Sequence, residues 1–247
     1  IYNMTSTPFL NQLAEKLLSR DRQYFDNITI VLPNKRARVF LIEALKKQID
    51  KNVFAPNIMS IEDFIQDVAG IRSIDSIELL FEFFEVYSTI VPHAKKETFE
   101  QFANWAKIIL QDFNEIDRYL LNPDHVLSYL KDIEDLKHWS VDAEKRTKLI
   151  DKYLKFYNLL IEYYRGLYSH LREKKIGYQG LIYREAVANI SQFINSSESE
   201  VNYVFAGFNA LNAAEEVVIQ TLIAANKADI FWDIDKAFIK DKQHDAG

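Results

Sequence analysis

Lys35, Arg36 and Arg38 open a segment that reads as a helix, directly after an apolar run. A helix N-terminus leaves its first N–H groups unpaired, so cations added there could hold a phosphate. The alternative is a solvated helix start. Nucleotide chemistry needs more, because backbone N–H groups must approach the phosphates through closely spaced glycines, with a lysine alongside. The six glycines stand at 70, 166, 177, 180, 207 and 247. None completes G-x-x-x-x-G-K-[ST] or G-x-G-x-x-G, so neither phosphate-binding loop is expected.

Metal and nucleophile chemistry find little support. His93, His125, His138, His170 and His244 include no pair three or four residues apart, so H-E-x-x-H is absent. The chain has no cysteine, which excludes disulfides, thiolate zinc sites and cysteine nucleophiles. Pro123-Asp124 followed by Asp135-Leu136-Lys137 spells a PD…(D/E)-x-K nuclease signature. That signature gathers carboxylates and a lysine around Mg²⁺ on adjacent strands. Here Val126, Leu130 and Ile133 carry a helical stripe through the span, so the groups would not converge. No catalytic residue, metal ligand or cofactor is expected.

The formal net charge of −6 argues against a dedicated duplex-DNA binder. The charge is uneven: residues 75–144 carry a net −9 and residues 145–175 a net +6. The basic stretch, with aromatics interleaved, could track a nucleic-acid strand. Its aromatics fall mostly on a heptad seam, however, which assigns them to a core. No apolar run reaches the roughly 18–20 residues of a membrane span. Arg20, Asp21 and Arg22 follow an amphipathic rather than an apolar stretch, so no signal peptide is read and a cytoplasmic protein is expected.

The elements that would position these residues follow from periodicity. Residues 7–19 read as a helix through Phe9, Leu10, Leu13, Leu17 and Leu18. Ile28 to Leu32, ending at Pro33, is a continuous β-branched run typical of a buried parallel strand. A helix over 35–49 carries Ala37, Phe40, Leu41, Ala44, Leu45 and Ile49. Val53 to Met59 reads as a second strand, and Ser60 with Asp63 as a capping box for the next helix. Strand–helix–strand–helix implies a parallel pair joined by a crossover helix.

From 74 to 196 every segment reads as helical. Ile77, Leu80, Phe81, Phe84 and Tyr87 form one stripe, and Phe99, Phe102, Ile109, Phe113, Ile116 and Leu120 another. Thr98 with Gln101 makes a capping box, and Asn122-Pro123 a cap with proline at the first helical position. The longest helix, 145–175, bears a heptad seam through Ile150, Tyr153, Tyr157, Leu160, Tyr164, Leu167 and Leu171. Gly177 to Gly180 reads as a turn and 181–194 as a helix. Strands at 202–206 and 228–232 enclose a helix at 213–225, a second β-α-β unit. The expected fold is α/β: a parallel sheet built from 1–70 and 198–247, interrupted by an all-helical insertion over 71–197.

Several segments, in this order, resemble UvrD-type (superfamily 1) helicases, whose parallel-sheet ATPase domain is interrupted by a helical subdomain. Ile30-Val-Leu-Pro-Asn-Lys-Arg-Ala-Arg-Val-Phe-Leu41 is similar to their strand–helix segment after the Walker A helix, and closer to the corresponding segment of AddB-type proteins. Asn57 to Phe64 resembles the following strand and helix entry, and Gly177 to Ile182 stands where the family has an acidic segment. Tyr203-Val-Phe-Ala-Gly-Phe-Asn-Ala-Leu-Asn212 stands where an active helicase has its Walker B acids. Those positions here are Ala206 and Gly207, so Mg²⁺ loses its ligand and the attacking water its base. Lys236 replaces the glutamine of a later motif.

These losses resemble the inactivated helicase domain of AddB/RecC-like PD-(D/E)XK nuclease family proteins, of the Bacteroidetes type, where the nuclease domain lies far downstream. The resemblance implies a degenerate P-loop-NTPase-like fold with no activity of its own, in a DNA double-strand-break repair nuclease. Lys35, Arg36, Arg38 and Asn209 would contact DNA, as a single strand or a duplex end. The resemblance also implies an AddA/UvrD-like helicase subunit as a partner. A protein-interaction module without DNA contact is the alternative.

Overall fold

The run Ile28–Leu32 forms β1, buried at every position. It sits inside a four-stranded sheet of order β2-β1-β5-β6, every neighbouring pair parallel. The other strands are β2 (Asn57–Ser60), β5 (Asn202–Phe208) and β6 (Ala228–Trp232). The computed structural model describes residues 8–20, 27–49, 55–128, 143–196 and 202–234, with 143–158 described as backbone alone. The chain divides into two compact units, 1–69 with 186–247 and 70–185.

In the sheet unit, α1 (Phe9–Leu18) and α2 (Lys35–Lys46) cover one face. Leu13, Leu17, Leu41, Ala44 and Leu45 pack there on Ile28, Ile30, Leu32, Ile58, Val204 and Ala206. The alternate positions point the other way, as the strand period requires. Phe64 of α3 (Ile61–Ala69) meets Tyr203 and Phe205 at ring separations of 5.2 and 5.3 Å, and Phe193 at 6.0 Å. Crossovers β1–α2–β2 and β5–α8–β6 step outward in opposite directions, where α8 is Ala213–Ala224. The right-handed crossover rule then puts α2 and α8 on opposite faces.

Periodicity over-assigned α2. It buries Leu41, Ala44 and Leu45, while Phe40 is exposed. Among the described residues α1 and the sheet lie beside it, so the helix buries a narrow arc, and Phe40 falls just outside.

The helical unit holds α4 (Ser76–Ile90), α5 (Phe99–Arg118), α6 (Ala143–Lys174) and the first turns of α7 (Gln179–Ser196). The unit boundary therefore falls within α7, whereas the sequence places it at the Ser196–Ser199 linker. The unit is not all helical, because two-residue strands β3 (Arg72–Ser73) and β4 (Ile176–Gly177) pair in parallel. Gly177 belongs to this pairing rather than to a turn. Gly180 lies in the first turn of α7, where an added Cβ would stand 2.3 Å from the Asn114 carbonyl oxygen. Close approach, not turn geometry, requires that glycine.

Thr98 and Gln101 form the expected capping box of α5. Asn122 accepts from the His125 N–H at 3.2 Å, capping the helical residues that begin at Pro123. The seam residues Leu160, Tyr164, Leu167 and Leu171 are buried. On α4 the expected stripe is rotated: Leu79, Leu80, Phe83, Val86 and Tyr87 are buried, while Ile77 and Phe81 are exposed. The buried arc centres on Phe83, whose ring meets Phe102, Phe113 and Tyr163, so it is set by both α5 and α6. Ile77 and Phe81 lie on the opposite side.

One buried carboxylate ties the unit together. Asp117 is fully buried and accepts from the Tyr164 hydroxyl, from the Tyr178 hydroxyl at 2.5 Å and from Arg184 Nε at 2.5 Å. Arg184 also donates to the Ile116 and Leu121 carbonyls at 3.0 and 2.6 Å. Burial pushes the Asp117 carboxyl up, against the pull of the two tyrosines and Arg184. Burial and then the Asp117 charge hold both phenols well above their ordinary value, so both remain donors. Removing one member of a buried ionic network strands the others and costs about 3–5 kcal/mol. Asp117→Ala should cost the helical unit about that much in urea unfolding, and Tyr178→Phe about 1–3 kcal/mol. A loss below about 1 kcal/mol for Asp117→Ala would show that the network does not hold the unit together.

Candidate functional site

β1 and β5 are neighbours at the centre of the sheet, and their chains leave in opposite directions. In an open parallel sheet this reversal leaves a crevice beyond the C-terminal strand ends, where ligands bind. A crevice of about 300 Å³ lies there. Leu32, Pro33, Asn34 and Ala37 wall it from β1 and α2, and Ala206, Gly207 and Asn209 from β5. Asp233 follows β6, and Phe9 and Leu10 of α1 close it.

Of the expected site residues, the fold gathers Ala206, Gly207 and Asn209 at this crevice and leaves the three cations outside its lining. Asn34, the N-cap of α2, already accepts from the Ala37 N–H at 3.0 Å, so the helix end facing the crevice is partly satisfied. Lys35 turns away to Asp63 at 2.9 Å. The hydrogen bond and charge of Asp63 raise the Lys35 ammonium above its ordinary value. Burial acts to raise the Asp63 carboxyl, but hydrogen bonds from Lys35 and Ser60 outweigh it and leave it lowered. Ser60 Oγ accepts from the Asp63 N–H at 3.2 Å and donates to its carboxylate at 2.8 Å, a variant of the expected capping box. Arg36 and Arg38 are exposed, and among the described residues neither forms an ion pair. The charged residue lining the crevice is an acid, Asp233, which disfavours a polyphosphate.

Positions 206 and 207 have a distinctive local geometry. Ala206 is fully buried in the core beneath α1 and α2. Gly207 has φ +83° and stands where the β5–β6 register shifts between Ala206 and Phe208. A β-bulge with glycine in the left-handed region re-aims the strand end, and other residues are strained there. The crevice can hold a small polar group between Asn34 and Asn209. The described residues offer it no cation and no pair of carboxylates.

Three of the described bases of the 145–175 stretch are held in ion pairs. Arg165 pairs with Asp124 at 2.7 Å, Arg172 with Glu185 at 3.0 Å, and Lys174 with Glu82 at 2.6 Å and Glu85 at 3.2 Å. Pro123 and Asp124 open a helix, and Asp135 and Lys137 lie outside the described residues, as does Lys236. Sequence reasoning missed the exposed pair Val39 and Phe40 on α2, because an amphipathic stripe assigns Phe40 to the core. It also missed Glu82, Glu85 and His170, whose ligand atoms lie within 4.8 Å of one another. No short-range spacing signals that cluster.

No protein-family model and no curated protein matches the sequence.

An acid introduced at position 206 should not confer nucleotide chemistry. Ala206→Asp would place a carboxylate in the core without a partner, at a cost of several kcal/mol. It should lower the urea midpoint and leave Mg²⁺-ATP binding undetectable by calorimetry. An Ala206→Asp protein of unchanged stability that binds Mg²⁺-ATP would show that the site needs only its acid.

Proposed function

We propose that this chain is a non-hydrolysing, helicase-like scaffold, a degenerate relative of the P-loop NTPase fold, that contacts single-stranded DNA. The setting is a cytoplasmic helicase–nuclease of the AddB/RecC-like kind that processes double-strand breaks, with the nuclease centre carried by other sequence. Among the described residues no cation lines the switch-point crevice, which supports the non-hydrolysing part.

The outer face of α2 carries the DNA-contact part. Residues 35–47 hold Lys35, Arg36, Arg38, Lys46 and Lys47 against a single acid, Glu43, in a chain of net charge −6. Lys35 and Lys46 are tied to Asp63 and Glu43. Arg36, Arg38 and Lys47 form no ion pair among the described residues. Val39 and Phe40, exposed at 60% and 58%, stand one turn from Arg36. Guanidinium groups beside an exposed ring suit a single strand, with phosphates on the cations and a base on the ring. A duplex hides its base faces, so the exposed ring favours single strands.

A second reading has its own observation. In the helical unit, Ile74, Ile77, Leu80 and Leu110 line a groove of about 640 Å³, and Ile77, Phe81 and Ile108 are exposed large apolar side chains. Such a surface suits a protein partner, an AddA/UvrD-like helicase subunit under this proposal.

Fluorescence anisotropy with labelled single-stranded and duplex DNA at two salt concentrations tests both. The double variant Arg36→Ala/Arg38→Ala should weaken single-strand binding and flatten its salt dependence by about 0.7 per lost phosphate contact. Phe40→Ala should cost about 1–3 kcal/mol with the salt slope unchanged. Unaltered binding in both variants removes α2 from the interface. No binding at low salt leaves only the partner-docking reading.

A further inference from the structure

Glu82 and Glu85 lie one turn apart on α4, and His170 and Lys174 one turn apart on α6. Gly166, one turn before His170, lets the helices approach: an added Cβ there would stand 3.0 Å from Val86 Cγ1 and 3.3 Å from Ile90 Cδ1. His170 Nε2 consequently lies 2.6 Å from Glu82 Oε2 and 3.6 Å from Glu85 Oε2. The Lys174 ammonium meets the same two oxygens, at 2.6 and 3.2 Å, so the carboxylates already converge on one cation. The Glu82 side chain is only 16% exposed, that of His170 21% and that of Glu85 61%. The cluster is thus anchored in the helix interface and open to solvent at one side.

We propose that Glu82, Glu85 and His170 form a divalent transition-metal site that clamps α4 to α6, with Lys174 as a built-in competitor for the same oxygens. One imidazole with two carboxylates is a donor set for zinc, which takes such ligands at about 2.0–2.2 Å in a tetrahedron. Calcium and magnesium favour all-oxygen sites. Small side-chain rotations would open the His170–Glu82 contact far enough to admit the ion. The fourth position falls on the exposed Glu85 side, where water completes it. All three ligands sit on helices packed through Phe83, Val86, Tyr163 and Leu167, which fixes the backbones that carry the donors before the ion arrives. The site is independent of the DNA-contact reading, because α2 belongs to the other unit.

The test is titration of the chelator-treated chain with zinc chloride by calorimetry, repeated with cobalt(II) chloride to read the visible bands of four-coordinate cobalt. One ion should bind per chain. Loss of a donor in Glu85→Gln, a half-exposed position where folding is safe, or in His170→Ala should weaken binding about tenfold or more. Lys174→Gln, which removes the competing ammonium and keeps all donors, should tighten it. Unaltered affinity and spectrum in Glu85→Gln and His170→Ala would overturn the assignment, as would wild-type chain that binds no ion. Binding that appears only in Lys174→Gln would overturn it for the native chain, with Lys174 as the permanent counter-ion.

Discussion

The pairing of β1 with β5 is the contact on which the sheet unit depends. Ile28 to Val31 lie beside Asn202 to Phe205, about 170 residues further along the chain. Closing a loop of that length costs on the order of 5 kcal/mol in chain entropy. Burying Ile30, Val31, Val204 and Phe205 offsets this at about 1.5–3 kcal/mol each. All four are fully buried, and neither strand could be satisfied at the surface. The same pairing sets two strand ends side by side with their crossovers diverging, so the sheet core and the crevice above it share one cause.

What that crevice lacks is as physical as what it contains. A triphosphate and Mg²⁺ need cations, backbone N–H groups and an acid converging in one place. Here the helix end is capped by Asn34, Lys35 is drawn to Asp63, and β5 carries a buried alanine and a left-handed glycine just before its last residue, Phe208. Phe9 and Leu10 fill part of the remaining space.

The helical unit follows a different economy of charge. Several of its acids and bases are far apart in sequence and meet across helices, as Arg165 meets Asp124 and Lys174 meets Glu82. Exposed pairs of this kind contribute little stability each, about 0–1 kcal/mol. The buried network at Asp117 is of another order, because its carboxylate is fully buried and two of its donors come from buried tyrosines. Among the described residues, Arg165 and Lys174 of the basic stretch pair with acids of the acidic one.

The amino-acid sequence by itself determined the order and type of the elements. Strand runs at 28–32 and 228–232, the Thr98–Gln101 box and the long helix with its seam depend on spacings of two to four residues that backbone geometry imposes. The glycine positions alone excluded the phosphate loops. Tertiary structure decided the rest. Which arc of α4 is buried depended on α5 and α6 together, so Phe81 came out exposed, and Phe40 of α2 is exposed too although periodicity placed both inside. The short β3–β4 pairing needed two segments about 100 residues apart. Where Lys35 points, and the meeting of Glu82 and Glu85 with His170 some 88 residues away, depend on packing between helices. Local periodicity carries no record of such distant partners.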